Sequence, residues 1–172
     1  YAIDSYVNDD IQAIFGIIIM PATIMILIAQ FLIHPFLNMI NNEIKDNNYK
    51  KLVGLVTKIC LFLFGVGILI IVACHFLGIY ILEFIYGLSL REYATCLSII
   101  LLGAVFYALT SVINTVLIAM RYTFIQMVVY ALLSFCALFL SNYLVMNYEI
   151  MGATLNYFII MFINFIIFLV IF

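Results

Sequence analysis

The sequence predicts an all-α integral membrane protein, and three observations carry that prediction. Of its 172 residues, 69% are hydrophobic and 8% charged, with a mean hydropathy of +1.35. A soluble domain holds about 45–50% apolar and about 25% charged residues, so an aqueous globule of this size could not enclose the excess and the solvent is lipid. Second, five uncharged runs follow one another along the chain, each long enough for a helix to cross about 30 Å of hydrocarbon. Third, stretches such as GIIIM and LFLFGVGILIIVA do not alternate, whereas a transmembrane barrel needs alternating segments of about ten residues. Core helices of a soluble protein would not follow one another five times with such short joins.

The first span is expected over residues 11–33, with Pro21 in its middle, where the missing backbone donor predicts a bend. The second covers residues 59–82 and includes Gly65, Gly67, His75 and Gly78. The third, 97–120, and the fourth, 124–146, are separated by Arg121-Tyr122-Thr123 alone. The fifth is expected over residues 150–172. Residue 1 is Tyr and no basic segment precedes an apolar run with a small-residue cleavage site, so a signal peptide is not expected. The chain reads as a segment of a longer polypeptide, with a processed protein as the alternative. All of residues 1–172 are expected to form one membrane domain.

Charge placement predicts orientation. Loops alternate sides, which puts Lys45, Lys50, Lys51, Lys58 and Arg121 on one face and Arg91 alone on the other. The excess of basic residues near short loops marks the cytoplasmic side, so the loops at residues 38–58 and 121–123 are expected in the cytoplasm. Asn47 or Asn48 is a fair N-cap for the helix that becomes the second span. Lys50 and Lys51 then fall in its first turn, where the macrodipole disfavours cations. Anionic headgroups of the inner leaflet would offset that cost, making these two lysines candidate lipid contacts. A solvated topological anchor is the other reading.

Polar groups within hydrocarbon are costly and face a partner or a wet cavity. In the first span Thr23 and Gln30 are seven residues apart and share a face, and Gln12 is a further polar group. In the third, Tyr107, Thr110, Ser111 and Asn114 follow an i, i+3, i+4, i+7 pattern and form one stripe. That stripe either lines a cavity or bonds to neighbouring helices. Asn156 and Asn164, eight apart in the fifth span, also share a face. His34 and His75 read as interfacial. The four cysteines, Cys60, Cys74, Cys96 and Cys136, show neither CxxC nor Cys/His spacing, so no disulfide framework or metal site is expected. Asp4, Asp9 and Asp10 have a spacing that suits neither a metal nor a general acid–base pair. No nucleophile triad or phosphate loop is present. An enzyme, a cofactor and a nucleic-acid partner are therefore not expected.

The stretch YAIDSYVNDDIQAIFGIIIMPATIMILIAQFLIHPFLNMI resembles the start of the second half of polysaccharide flippases. These belong to the multidrug/oligosaccharidyl-lipid/polysaccharide exporter superfamily, relatives of the MATE transporters. The likeness lies in Tyr1-Ala2-Ile3-Asp4, Phe15-Gly16, Met20-Pro21 and Pro35-Phe36-Leu37, followed by a basic NNYKKL loop. It continues in ILEFIYGLSLREYA, through Ile81, Leu82, Ile85, Tyr86, Gly87, Tyr93 and Ala94. It ends in NYEIMGATLNY, through Ile150, Gly152 and Ala153, with Glu149 where the family usually has Gly.

The resemblance implies that the five spans are helices two to six of one six-helix lobe of a MATE-like transporter. It also implies a function: translocation of an isoprenoid-diphosphate-linked oligosaccharide from the cytoplasmic to the outer leaflet of the cell membrane. Alternating access through a polar cavity would spare the saccharide and diphosphate the hydrocarbon. On that view Asp4, Thr23, Gln30, Tyr107 and Asn114 are the candidates for one cavity wall. Membrane lipids, the lipid-linked substrate and the remaining helices of the transporter are the implied partners. A drug or small-molecule exporter of the same superfamily and a non-transporting fragment or accessory subunit stay open. A membrane glycan polymerase is disfavoured, because such enzymes carry a large arginine-bearing outside loop and here Arg91 stands alone.

Overall fold

A computed structural model describes residues 9–172, with side chains from residue 12 onward. Asp4 lies outside the described residues. Those residues are helical nearly throughout and contain no strand. In chain order they form α1 (Asp9–Ile33), a 3₁₀ turn (His34–Phe36), α2 (Leu37–Lys45) and α3 (Tyr49–Ala73). A π-helical turn (Cys74–Gly78), α4 (Ile79–Tyr86), a second 3₁₀ turn (Arg91–Tyr93), α5 (Ala94–Ala119) and α6 (Thr123–Ile171) complete the order. Four helical stretches are long and apolar enough to cross a membrane: Gln12–Lys45, Tyr49–Tyr86, Arg91–Ala119 and Thr123–Ile171.

The helix ends have local causes. Asn47, Gly87 and Arg121 all have positive φ, at 53°, 67° and 67°, the left-handed conformation that terminates helices. After α5, the Arg121 amide donates to the Ile118 carbonyl and the Tyr122 amide to that of Leu117. The pair of bonds closing α2, from Asn47 to Ile44 and from Asn48 to Glu43, repeats the pattern. Gly and Asn take this conformation readily and announce two of these ends; Arg does not, and the third is closed by its hydrogen bonds. Helix α1 continues unbroken through Pro21. The second span region begins ten residues before the expected apolar run, at Tyr49, and His75 sits in the π-helical turn within it.

Helix α5 is the hub. It packs against α1, α3 and α6, and most of its side chains are buried, including Leu97, Ile100, Leu101, Ala104, Val112 and Val116. Small residues let its neighbours approach closely. A Cβ on Gly103 would lie 2.8 Å from the Tyr157 ring, and one on Gly67 of α3 would lie 2.8 Å from Val105 and 2.9 Å from the Met25 methyl. Helix α1 faces this core with Ile18, Ala22, Met25, Ala29 and Ile33.

A straight helix as long as α6, 49 residues, would extend roughly 74 Å. It is not straight. Glu149 has φ 47° and ψ −124°, outside helical geometry, and the chain doubles back there. Phe135, Phe139 and Tyr143 share an apolar cleft with Ile160 and Ile163, and Tyr130 meets Phe168 with ring centroids 5.4 Å apart. Positions rising along one limb therefore meet positions falling along the other. Contacts with α5 run the opposite way: Gly103 meets Tyr157, Phe106 meets Phe162, and Ile113 and Leu117 cluster with Phe168. The second limb of α6 is thus parallel to α5 and the first limb antiparallel to it. Gly152 sits inside the reversal, where a Cβ would run into the Leu144 carbonyl.

Candidate functional site

Most of the hydroxyls along the later part of α5 turn back on their own helix. Thr110 donates to the Phe106 carbonyl (2.9 Å), Ser111 to that of Ala108 (2.7 Å) and Thr115 to that of Ser111 (2.8 Å). In a low-dielectric surrounding such back-bonds satisfy the hydroxyl without a partner helix. The Asn147 amide does the same, donating to the Tyr143 carbonyl at 2.7 Å, but one amide reaches across to another helix. Gln126, at the start of α6, donates its Nε2 to the Asn114 carbonyl at 3.0 Å. The Oδ1 atoms of Asn114, Asn156 and Asn164 are enclosed and have no donor.

Asn114, Gln126, Tyr130 and Asn164 form a polar layer between α5 and the two limbs of α6. They are staggered over about two turns: Gln126 bonds Asn114 at one end, and Tyr130 follows one turn on, against Phe168 and near Asn164 and Tyr107. Asn164 and Gln126 are buried, at 4% and 7% exposure. Tyr107 and Asn114 are half-buried, and so is Asn156, which lies about two turns away along the second limb. Unpaired carboxamide oxygens in an apolar surrounding are costly. This layer can accept hydrogen bonds from water or hydroxyl groups that reach it.

The candidates on α1 lie elsewhere. Thr23 and Gln30 are both exposed, on a flank roughly 100° around the helix from the side that packs on the core. Thr23 donates to the Met20 carbonyl at 2.7 Å, next to the donor that Pro21 lacks. No hydrogen bond among the described residues joins this pair to the layer on α5. Met20 also accepts a contact from the Tyr86 hydroxyl at 2.9 Å, tying α1 to the end of α4.

Lys50 and Lys51 are exposed in the first turn of α3. Asn48 is the N-cap but supplies no side-chain bond, and no acid sits in that turn. On the opposite side of the bundle, Glu83 accepts the Leu90 amide at 2.9 Å and lies 3.6 Å from Arg91. Arg91 also stands over the Tyr80 ring, 5.8 Å from its centroid. Among the described residues no three His, Cys, Asp or Glu side chains gather as a metal site, and the four cysteines are free.

Gln126 and Tyr130 are members of the polar layer that sequence reasoning missed. The signal was present: a glutamine and a tyrosine four residues apart in an otherwise apolar run share a helix face. Comparison of the chain with family models, with characterised proteins and with solved structures finds no match in any of the three.

Proposed function

We propose that this protein is part of one lobe of a MATE-like transporter that flips an isoprenoid-diphosphate-linked oligosaccharide across the cell membrane for surface polysaccharide synthesis. On this reading the chain has five spans, because the limbs of α6 at 124–146 and 150–172 each cross the membrane. The reversal at Glu149 and the opposite directions of the two limbs support that count. The loops at 38–58 and 121–123 face the cytoplasm, as the lysine distribution favours.

The observation that carries the proposal is the exposed pair Thr23 and Gln30 on α1. Both lie within a helix of membrane-crossing length, and both are exposed on its flank, off the side that packs on the core. Hydrocarbon does not solvate a glutamine amide, so this flank borders a polar path completed by further helices. Tyr107 and Asn114, half-buried on α5, are separate polar candidates on this reading, and Asp4 belongs to the lining through the resemblance. The transporter uses no cofactor and no catalytic residue; its work is conformational. In cells lacking the protein, lipid-diphosphate-linked precursor accumulates and surface glycan is lost, while susceptibility to toxic small molecules is unchanged. Altered drug efflux with intact glycan would replace this reading with a small-molecule exporter. No effect on either would leave an accessory subunit.

A further inference from the structure

The geometry points to a binding face for an anionic phospholipid along the outside of α3, distinct from any translocation path. At 3.6 residues per turn, Lys50, Lys51, Gly54 and Lys58 fall within an arc of about 100°. All four are exposed. The buried residues of the same helix, Leu52, Val56, Ile59 and Leu63, centre on the opposite side. These lysines therefore face away from the bundle. Among the described residues none of them pairs with a carboxylate, and α3 contains no acid.

Below the lysines the same arc becomes wholly apolar: Leu61, Ile68, Leu69 and Val72 are exposed along it. Nothing lies within 4 Å of a Cβ added at Gly54 or Gly65, so the face is shallowly grooved. At its lower edge Phe64, Ile68 and Val72 join Leu102 and Phe106 of α5 around a cleft of about 280 Å³ without polar lining. Lys58 is ten residues, or about 15 Å, above Ile68 along the helix, close to the depth of one hydrocarbon leaflet.

Cationic end, open flank and apolar cleft follow one another in the order of headgroup phosphate and acyl chain. The occupant is a bilayer lipid with an anionic headgroup, its phosphate held by Lys50, Lys51 and Lys58 and one chain in the cleft. The anion also offsets the unfavourable position of Lys50 and Lys51 at the positive end of the helix. A free phosphate would use only the upper third of this surface. The assignment does not rest on the flippase reading.

The test uses the full chain in detergent micelles doped with dioleoyl-phosphatidylglycerol or dioleoyl-phosphatidylcholine, read by lipid titration and thermal unfolding. Phosphatidylglycerol binds and raises Tm, phosphatidylcholine does neither, and inorganic phosphate at equal concentration does not compete. The triple variant K50Q/K51Q/K58Q binds about a hundredfold more weakly, the effect expected for three lysines at an anionic surface. Its Tm in phosphatidylcholine stays at the wild-type value, which shows that it is folded, and K50R/K51R/K58R restores binding. The double variant K45Q/R91Q, off this face, binds normally. Equal binding by the glutamine triple variant, equal loss in K45Q/R91Q, or full competition by phosphate would each overturn the assignment. So would a disulfide between two copies of a Gly65→Cys variant, which would put a second chain on this face.

Discussion

Gln126 and Asn114 clasp the turn between α5 and α6: the glutamine amide spans from one helix to the other and donates to the asparagine backbone carbonyl at 3.0 Å. That carbonyl lies near the end of α5, and Gln126 is in the first turn of α6. The bond thus fixes the angle of a connection only three residues long, whose central residue, Arg121, is left-handed.

Replacing Gln126 with Leu keeps the volume and removes the clasp. Interhelical hydrogen bonds in membranes average about 0.6 kcal/mol and rarely exceed about 1.7 kcal/mol. A loss of about 0.5–1.5 kcal/mol is therefore expected in reversible unfolding from mixed micelles. No loss would mean that water replaces the bond.

The reversal at Glu149 gives two predictions of opposite sign. Its φ of 47° strains a side-chain-bearing residue, so Glu149→Gly should stabilise the protein by about 1 kcal/mol. Gly152→Ala should destabilise it by at least about 2 kcal/mol, because the obstacle is the Leu144 backbone, which cannot rotate aside. Gly16→Ala, where nothing lies within 4 Å, is the matched control and should be tolerated.

Gly67 sits where α1, α3 and α5 meet, close to Val105 and Met25. Met25 can swing away, but the branched Val105 is stiff. Gly67→Ala is expected to cost about 1–2 kcal/mol. Adding Val105→Ala should recover part of it, with a coupling of about 1 kcal/mol in the double-mutant cycle. Strict additivity would mean that the helices move apart instead.

Glu83 and Arg91 should differ in weight although they face each other at 3.6 Å. Arg91 is 73% exposed, so Arg91→Gln should change stability by less than about 0.5 kcal/mol. Glu83→Ala strips the acceptor from the amide of the fully buried Leu90 and should cost about 1–3 kcal/mol. Thermal unfolding of the two variants side by side separates the roles.

Single cysteines in a cysteine-free background report the direction of each limb. With a membrane-impermeant maleimide, cysteines at Asn47 and Tyr122 should label from one side of sealed vesicles. Those at Ser89 and Tyr148 should label from the other. Labelling of Tyr148 from the side of Tyr122 would refute a first limb that crosses the membrane.

Much of this architecture was legible in the residues because hydrocarbon leaves the backbone few options. Every amide must be paired within the chain, so long uncharged runs become helices, and the breaks fall where Asn47-Asn48, Gly87 and the Arg121-Tyr122 pair interrupt them. The stripe on α5 followed from spacing alone, and its Tyr107 and Asn114 are half-buried. Faces were a different matter. Helices apolar all round carry no stripe that distinguishes a side packed on protein from a side open to lipid, since both surroundings are equally greasy. Only the packing decided that α5 is the hub, that Thr23 and Gln30 turn outward, and that Gln126 reaches back to Asn114. Only it decided that Lys50, Lys51 and Lys58 point away from the bundle. Close approach was likewise a tertiary matter: Gly67 and Gly103 read as ordinary glycines until Val105 and Tyr157 are placed against them, and only the fold sets Gly152 against the Leu144 carbonyl. Sequence determines where a membrane chain must be helical, because that follows from backbone hydrogen bonding. Which sides of those helices meet is set by the shapes of side chains far apart in the chain, and that information exists only once they are packed.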